Sequence, residues 1–226
     1  LSRDIVALVL TGRRLADATR VEAALRAYRT ALEIACGSDT LEANPRFDEK
    51  GTGRYLLPGE SLFALIIRDL ASRPDWDYGR WSTALPDDPR VYLVAYRLLK
   101  ESGSVDANRS LDSILNRPVT ADHSQCPAAI QLAARAEALT HREKLEEAQS
   151  VYAEAVQAAE ERSLRRTLAY NLANLAIRRG DDVSARDALE QAVDDRSSDA
   201  IGRRAFRRLS ELDRGKTPSN LIRVKE

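Results

Sequence analysis

Methionine is absent from this 226-residue chain, and cysteine and histidine each occur only twice. His123 and Cys126 sit close together, but the other histidine is His141 and no second Cys or His pair completes the four ligands a metal site needs. No metal centre and no Cys–His catalytic pair is therefore expected. Two cysteines do not make a disulfide framework. A bridge between Cys36 and Cys126 is not expected either, since one closes the first helical segment and the other precedes a much later one. Long apolar runs are missing too. The longest, residues 61–67, falls far short of the roughly 20 residues a membrane helix requires, so no transmembrane segment is expected. Charge is balanced at 35 cationic and 35 anionic side chains, which leaves no net field to draw the chain to nucleic acid or membrane. The missing methionine and a start at Leu1, just before the apolar stretch Ile5–Leu10, read as an excised or processed chain.

Glycine (10) and proline (8) are sparse and alanine is abundant, which favours helices. The arginine and alanine bias points to a bacterial coding background. The alanines are also ordered. Ala136, Ala148 and Ala155 are separated by twelve and seven residues, and Ala173, Ala185 and Ala192 repeat that spacing 37 residues later. Small side chains at such intervals are needed where two antiparallel helices of a hairpin approach closely.

Apolar periodicity places helices at 4–18 and 20–36, with Leu8, Gly12 and Leu15 on one face of the first, Ala24, Tyr28 and Ala31 on one face of the second, and Gly37 as a left-handed cap. Residues 39–59 carry Asn44-Pro45, Gly51-Thr52-Gly53 and Pro58-Gly59, all helix breakers. An apolar helix follows at 60–72, then a stretch with Trp76, Tyr78 and Trp81 among Asp and Pro. Further pairs are read at 89–101 with 105–115, 127–141 with 144–161, and 164–179 with 183–194. A single helix at 200–212, amphipathic through Ile201, Ala205, Phe206 and Leu209, closes the series. The organisation expected is thus a hairpin at 1–38, an irregular insertion with one apolar helix at 39–88, a hairpin at 89–118, two hairpins at 127–195, and a capping helix and tail at 200–226.

These residues resemble the tetratricopeptide repeat family. The closest copy is residues 168–195, with Asn171-Leu172-Ala173-Asn174, the turn Gly180-Asp181, and Ala185, Leu189 and Ala192. Ala136, Ala148, Tyr152 and Ala155 form a second copy, and Gly12, Leu15, Ala24, Tyr28 and Ala31 a third. About two thirds of the chain falls under the likeness, although the family's tryptophan and closing proline are mostly missing. The resemblance implies an all-α fold, a right-handed α-α superhelix of stacked hairpins with a C-terminal capping helix. It also implies a non-catalytic scaffold that binds a protein or peptide in its concave groove, within a larger bacterial assembly or secretion machine. By the alanine register, the groove would present Tyr92, Tyr96, Lys100, Glu137, His141, Tyr170, Asn171, Asn174 and Arg178. An asparagine amide can pair with both N–H and C=O of an extended peptide. The alternative is a glycan or small-ligand site on the insertion, using Trp76, Tyr78 and Trp81, in a domain attached to an enzyme or to an exopolysaccharide export system.

Nothing else in the chain assembles chemistry. Gly215-Lys216-Thr217 imitates a phosphate loop, but Ser210 stands where its first glycine belongs, and Pro218 interrupts the helix that should follow. No cofactor is expected. The pairs Asp87-Asp88, Asp181-Asp182 and Asp194-Asp195 fall at turns and helix ends, not across a cleft. Arg204 and Arg208 share a helix face and form a candidate anion site, though the neutral chain argues against nucleic acid.

Overall fold

The computed structural model describes residues 3–37, 46–48, 53–73, 75–120, 126–193 and 199–215. Among these, regular structure is helical throughout, apart from one isolated antiparallel bridge between Phe47 and Tyr55. The chain divides into two units, one comprising residues 1–42, 58–118 and 122–127, the other residues 43–57, 119–121 and 128–226. The 39–88 stretch is therefore shared between them, with residues 43–57 in the second unit.

In the first unit, α1 (Arg3–Asp17) packs on α2 (Val21–Gly37), and α2 on α3 (Glu60–Ala71). A short α4 (Tyr78–Trp81) and a 3₁₀ turn (Ser82–Ala84) lead to α5 (Pro89–Glu101) and α6 (Ala107–Leu115). Gly12 is buried in α1 because the Tyr28 ring occupies the space beside it; a Cβ there would lie 2.8 Å from that ring. The Tyr28 hydroxyl donates to Asp69 Oδ2 at 2.5 Å, tying the first hairpin to α3. Gly37, expected as a left-handed cap, instead ends α2 without a positive φ. The left-handed glycine lies at Gly59 (φ 84), immediately before α3. Asp88 caps α5, accepting from the Arg90 N–H at 2.9 Å, with Pro89 in the first turn where its missing N–H costs nothing.

In the second unit, α7 (Ala128–His141) packs on α8 (Leu145–Ala158), and α9 (Arg162–Arg179) on α10 (Asp182–Ala192). Helix α9 also packs on α8, and α11 (Ala200–Asp213) closes on α10. All six alanines of the repeated spacing are fully buried. Gly180 (φ 77) ends α9 in the left-handed conformation, and Asp181 caps α10 by accepting from the Ser184 N–H. Asp199 caps α11 and takes both ends of the Arg166 guanidinium at 2.5 and 3.0 Å, while Arg166 Nε donates to the Ala192 carbonyl. One arginine thus holds the end of α10 to the start of α11.

Phe206, expected on the inner face of α11, is 65% exposed. The buried stripe runs through Ile201, Ala205 and Arg208 instead.

Candidate functional site

Helix α9 is buried from Thr167 to Ile177 without a break, and the run includes two asparagines, Asn171 and Asn174. Buried amides need hydrogen-bond partners. On a helix whose other neighbours present mainly apolar side chains, those partners come from elsewhere in the second unit: the chain segment around Gly53–Tyr55.

Asn171, 2% exposed, grips one residue of that segment at both polar groups. Its Oδ1 accepts from the Tyr55 N–H at 2.8 Å, and its Nδ2 donates to the Tyr55 carbonyl at 2.9 Å, across 116 residues of sequence. One turn on, Asn174 Nδ2 donates to the Gly53 carbonyl at 2.8 Å. Residues 53 and 55 of an extended chain show their polar groups on the same edge, and the two asparagines read that edge. The segment folds back on itself: Leu56 N–H donates to the Arg46 carbonyl and Asp48 N–H to the Arg54 carbonyl, both at 2.8 Å. Gly53 (φ 65) turns out of the extended path, and its N–H goes to the Asp48 carbonyl. Asn174 therefore receives only a carbonyl, and its Oδ1 accepts no hydrogen bond among the described residues.

Side chains hold the same segment. Arg54 Nε lies 3.0 Å from Glu137 Oε2 on α7, both side chains at most 5% exposed. Tyr152 on α8 donates its hydroxyl to the other Glu137 oxygen, so the carboxylate is satisfied from two sides. The Tyr55 ring meets Tyr170 edge-on at 5.1 Å between centroids, and Phe47 packs on both rings. Arginines of α11 cover this cluster: the Arg204 guanidinium lies 4.0 Å from the Phe47 centroid and Arg208 5.1 Å from that of Tyr170. Burial lowers the Arg208 guanidinium pKa, partly opposed by Tyr170. Burial also raises the phenols of Tyr55 and Tyr170, so both rings stay neutral.

The expected groove residues thus separate. Glu137, Tyr170, Asn171 and Asn174 converge on one bound segment. His141 lies half-buried at the end of α7, and Arg178 is exposed at the end of α9, lining an open cleft with Glu147 and Ser150. Tyr92, Tyr96 and Lys100 belong to the first unit, where Arg117 covers the Tyr92 ring and Lys100 the Tyr96 ring.

The insertion aromatics are core residues and not an open platform. Trp76 packs edge-on against Tyr28, Tyr78 against Trp81, and the Tyr78 hydroxyl donates to Ser110 Oγ; all three rings are buried. Arg204 and Arg208, the candidate anion site, lie against the Phe47 and Tyr170 rings. Cys36 and Cys126 are free thiols, both buried near the Asp88–Arg90 ion pair. Burial, reinforced by Asp88, pushes both up, Cys126 to about 12. Among the described residues, no group of three or more His, Cys, Asp or Glu is placed to hold a metal ion. No described helix is long and apolar enough to cross a membrane. His123, Gly51-Thr52, Asp194-Asp195 and Lys216-Thr217 lie outside the described residues.

Sequence reasoning missed Phe47, Arg54 and Tyr55. Their signal was a hairpin signature: apolar and aromatic residues flanking Gly51-Thr52-Gly53, read only as helix-breaking. Comparison with protein-family models, with curated proteins and with solved structures finds no match for this chain.

Proposed function

We propose that this chain is a non-catalytic protein–protein interaction scaffold, a right-handed solenoid of tetratricopeptide-like hairpins closed by α11. It holds an extended peptide along the concave face presented by the first helix of each hairpin. The observation that carries this reading is the Asn171 side chain, which takes both backbone polar groups of a single extended residue, with Asn174 two residues along the same edge. Such a clamp reads backbone, which every peptide has, and leaves selectivity to side chains on either flank. The alanine register supports the repeat assignment, since all six of its alanines are fully buried. A place in a larger bacterial assembly or secretion machine is the setting this reading implies.

The test supplies the segment from outside. A synthetic peptide with the sequence of residues 46–57 is titrated calorimetrically into the full chain carrying Tyr55→Pro, which removes the N–H that Asn171 accepts. Binding is expected, and adding Asn171→Ala should weaken it at least about 30-fold. A Tyr55→Pro chain that keeps its helical circular dichroism yet binds no peptide refutes the reading.

A further inference from the structure

The segment held by Asn171 and Asn174 is part of the chain itself, and it fills the clamp imperfectly. Three features describe what fits better. First, the positive φ at Gly53 diverts its N–H to Asp48, so the buried Asn174 Oδ1 is left without a donor among the described residues. A ligand that stays extended through this position offers an N–H there, as Tyr55 does to Asn171. Second, Glu137 and the Tyr152 hydroxyl form a buried acidic receptor on α7 and α8 that Arg54 occupies. A planar guanidinium with several donors suits it; a neutral side chain would leave a buried carboxylate without a cation. Third, the neighbouring position meets Tyr170 edge-on, under the arginines of α11, which selects an aromatic ring.

Resting on the scaffold reading above, we propose that the external partner of this face is an extended peptide carrying arginine followed by an aromatic residue. It binds the second unit by displacing the chain's own Gly53–Leu57, which acts as a built-in competitor. Apparent affinity is then reduced by the fraction of molecules whose clamp is already filled. The resident strand sets a threshold: a weak or mismatched peptide does not enter.

The probe is a fluorescein-labelled hexapeptide, Thr-Val-Arg-Tyr-Leu-Leu, in which valine replaces the turning glycine. Fluorescence anisotropy is measured with the full wild-type chain and with its Tyr55→Pro variant. The peptide should bind the variant at least about 10-fold more tightly than the wild type. The same peptide with alanine for arginine should bind the variant at least about 30-fold more weakly. Equal affinity of the two peptides overturns the arginine–aromatic selection while leaving the scaffold reading intact. Equal affinity of the two proteins overturns the competitor role. Failure of both peptides on a folded variant overturns the scaffold reading along with this one. Should Tyr55→Pro lose its helices, hydrogen exchange on the wild type decides instead. Millimolar arginine peptide should speed exchange at the Tyr55 and Leu56 amides, and unchanged protection overturns displacement.

Discussion

Replacing Asn171 by alanine tests the clamp at its centre. The substitution removes two hydrogen bonds, each contributing about 0.5–1.5 kcal/mol net, and strands a buried N–H at a further cost of about 1–3 kcal/mol. The Tyr55 carbonyl loses less, because Arg54 Nη1 also donates to it at 2.8 Å. The sum weakens docking of the segment by about 2–6 kcal/mol, towards the lower end because the carbonyl keeps a donor, a change of at least roughly 30-fold in the opening equilibrium. The segment undocks locally, so the loss falls on its own amides and not on the α7–α10 hairpins. Hydrogen exchange followed by mass spectrometry should show Tyr55 and Leu56 exchanging at least about 30-fold faster, with α8 and α10 little changed. Asn171→Asp adds a finer check. Its ionised carboxylate accepts from the Tyr55 N–H but cannot donate to the carbonyl, so protection is lost at neutral pH. It recovers in part as pH falls, from above the usual carboxylate range because burial favours the protonated acid, which regains a donor. Tyr55 exchange in Asn171→Ala within threefold of the wild type would refute the reasoning.

Arg54→Ala leaves the buried Glu137 without its cation and should destabilise the second unit by about 3–5 kcal/mol. Adding Glu137→Gln should recover most of this, as read by urea denaturation followed by circular dichroism. Gly12→Ala, ordinarily worth about 0.5–1 kcal/mol of stabilisation in a helix, should instead destabilise the first unit by about 1–3 kcal/mol. The new Cβ meets the Tyr28 ring at 2.8 Å, and Trp76 and Trp81 report the loss by fluorescence. In the same unit, the Cys126 pKa is raised from 9.0 to about 12, so the folded state binds its proton more tightly than the unfolded chain. The stability this contributes is complete below pH 9 and is lost as pH rises from 9 towards 12. Cys126→Ala should flatten that alkaline limb, and native Cys126 should alkylate slowly at pH 8.

The alanine register was legible because its cause is steric: only a small side chain allows two helix backbones to close, and sequence spacing records that demand directly. Asn171 and Asn174 were legible as a backbone clamp for a related reason, since the amide's paired donor and acceptor match a peptide's. What they hold was not legible. A contact spanning 116 residues leaves no mark in any local window, and Arg54 and Tyr55 sit in a stretch whose glycines read only as helix breakers. The Phe206 error has a different origin. The buried stripe of α11 steps from Ile201 to Ala205, Arg208 and the half-buried Leu212. Phe206 lies about 140° around the helix from Ile201. Hydrophobic character outweighed periodicity in that reading, because an arginine was not expected on the inner face. Its place there makes sense only once Tyr170 supplies an aromatic surface for the guanidinium. Trp76, Tyr78 and Trp81 misled similarly: surrounded in sequence by Asp and Pro, they close on Tyr28, Ser110 and one another in space.

A tethered strand faces its receptor at an effective concentration of roughly mM. A peptide that displaces half of it at about 1 µM therefore needs contacts roughly 1,000-fold better, about 4 kcal/mol. Satisfying Asn174 Oδ1 gives about 1–3 kcal/mol of this, and removing a flexible glycine from the bound strand gives about 0.5–1 kcal/mol. The remainder has to come from outside the stretch that Gly53–Leu57 covers. Displacement should accordingly depend on peptide length. A hexapeptide that keeps the resident sequence, Thr-Gly-Arg-Tyr-Leu-Leu, should open the wild-type segment only near millimolar concentration. Extending it by four residues on the N-terminal side, where the resident chain turns away at Gly53, should lower that concentration at least tenfold. The same extension on the C-terminal side should gain less, because the resident strand already runs through Leu56 and Leu57 there. Exchange at the Tyr55 amide, measured against each peptide in turn, gives the concentrations. Equal gains from the two extensions would show that the bend at Gly53 is not where the resident strand falls short.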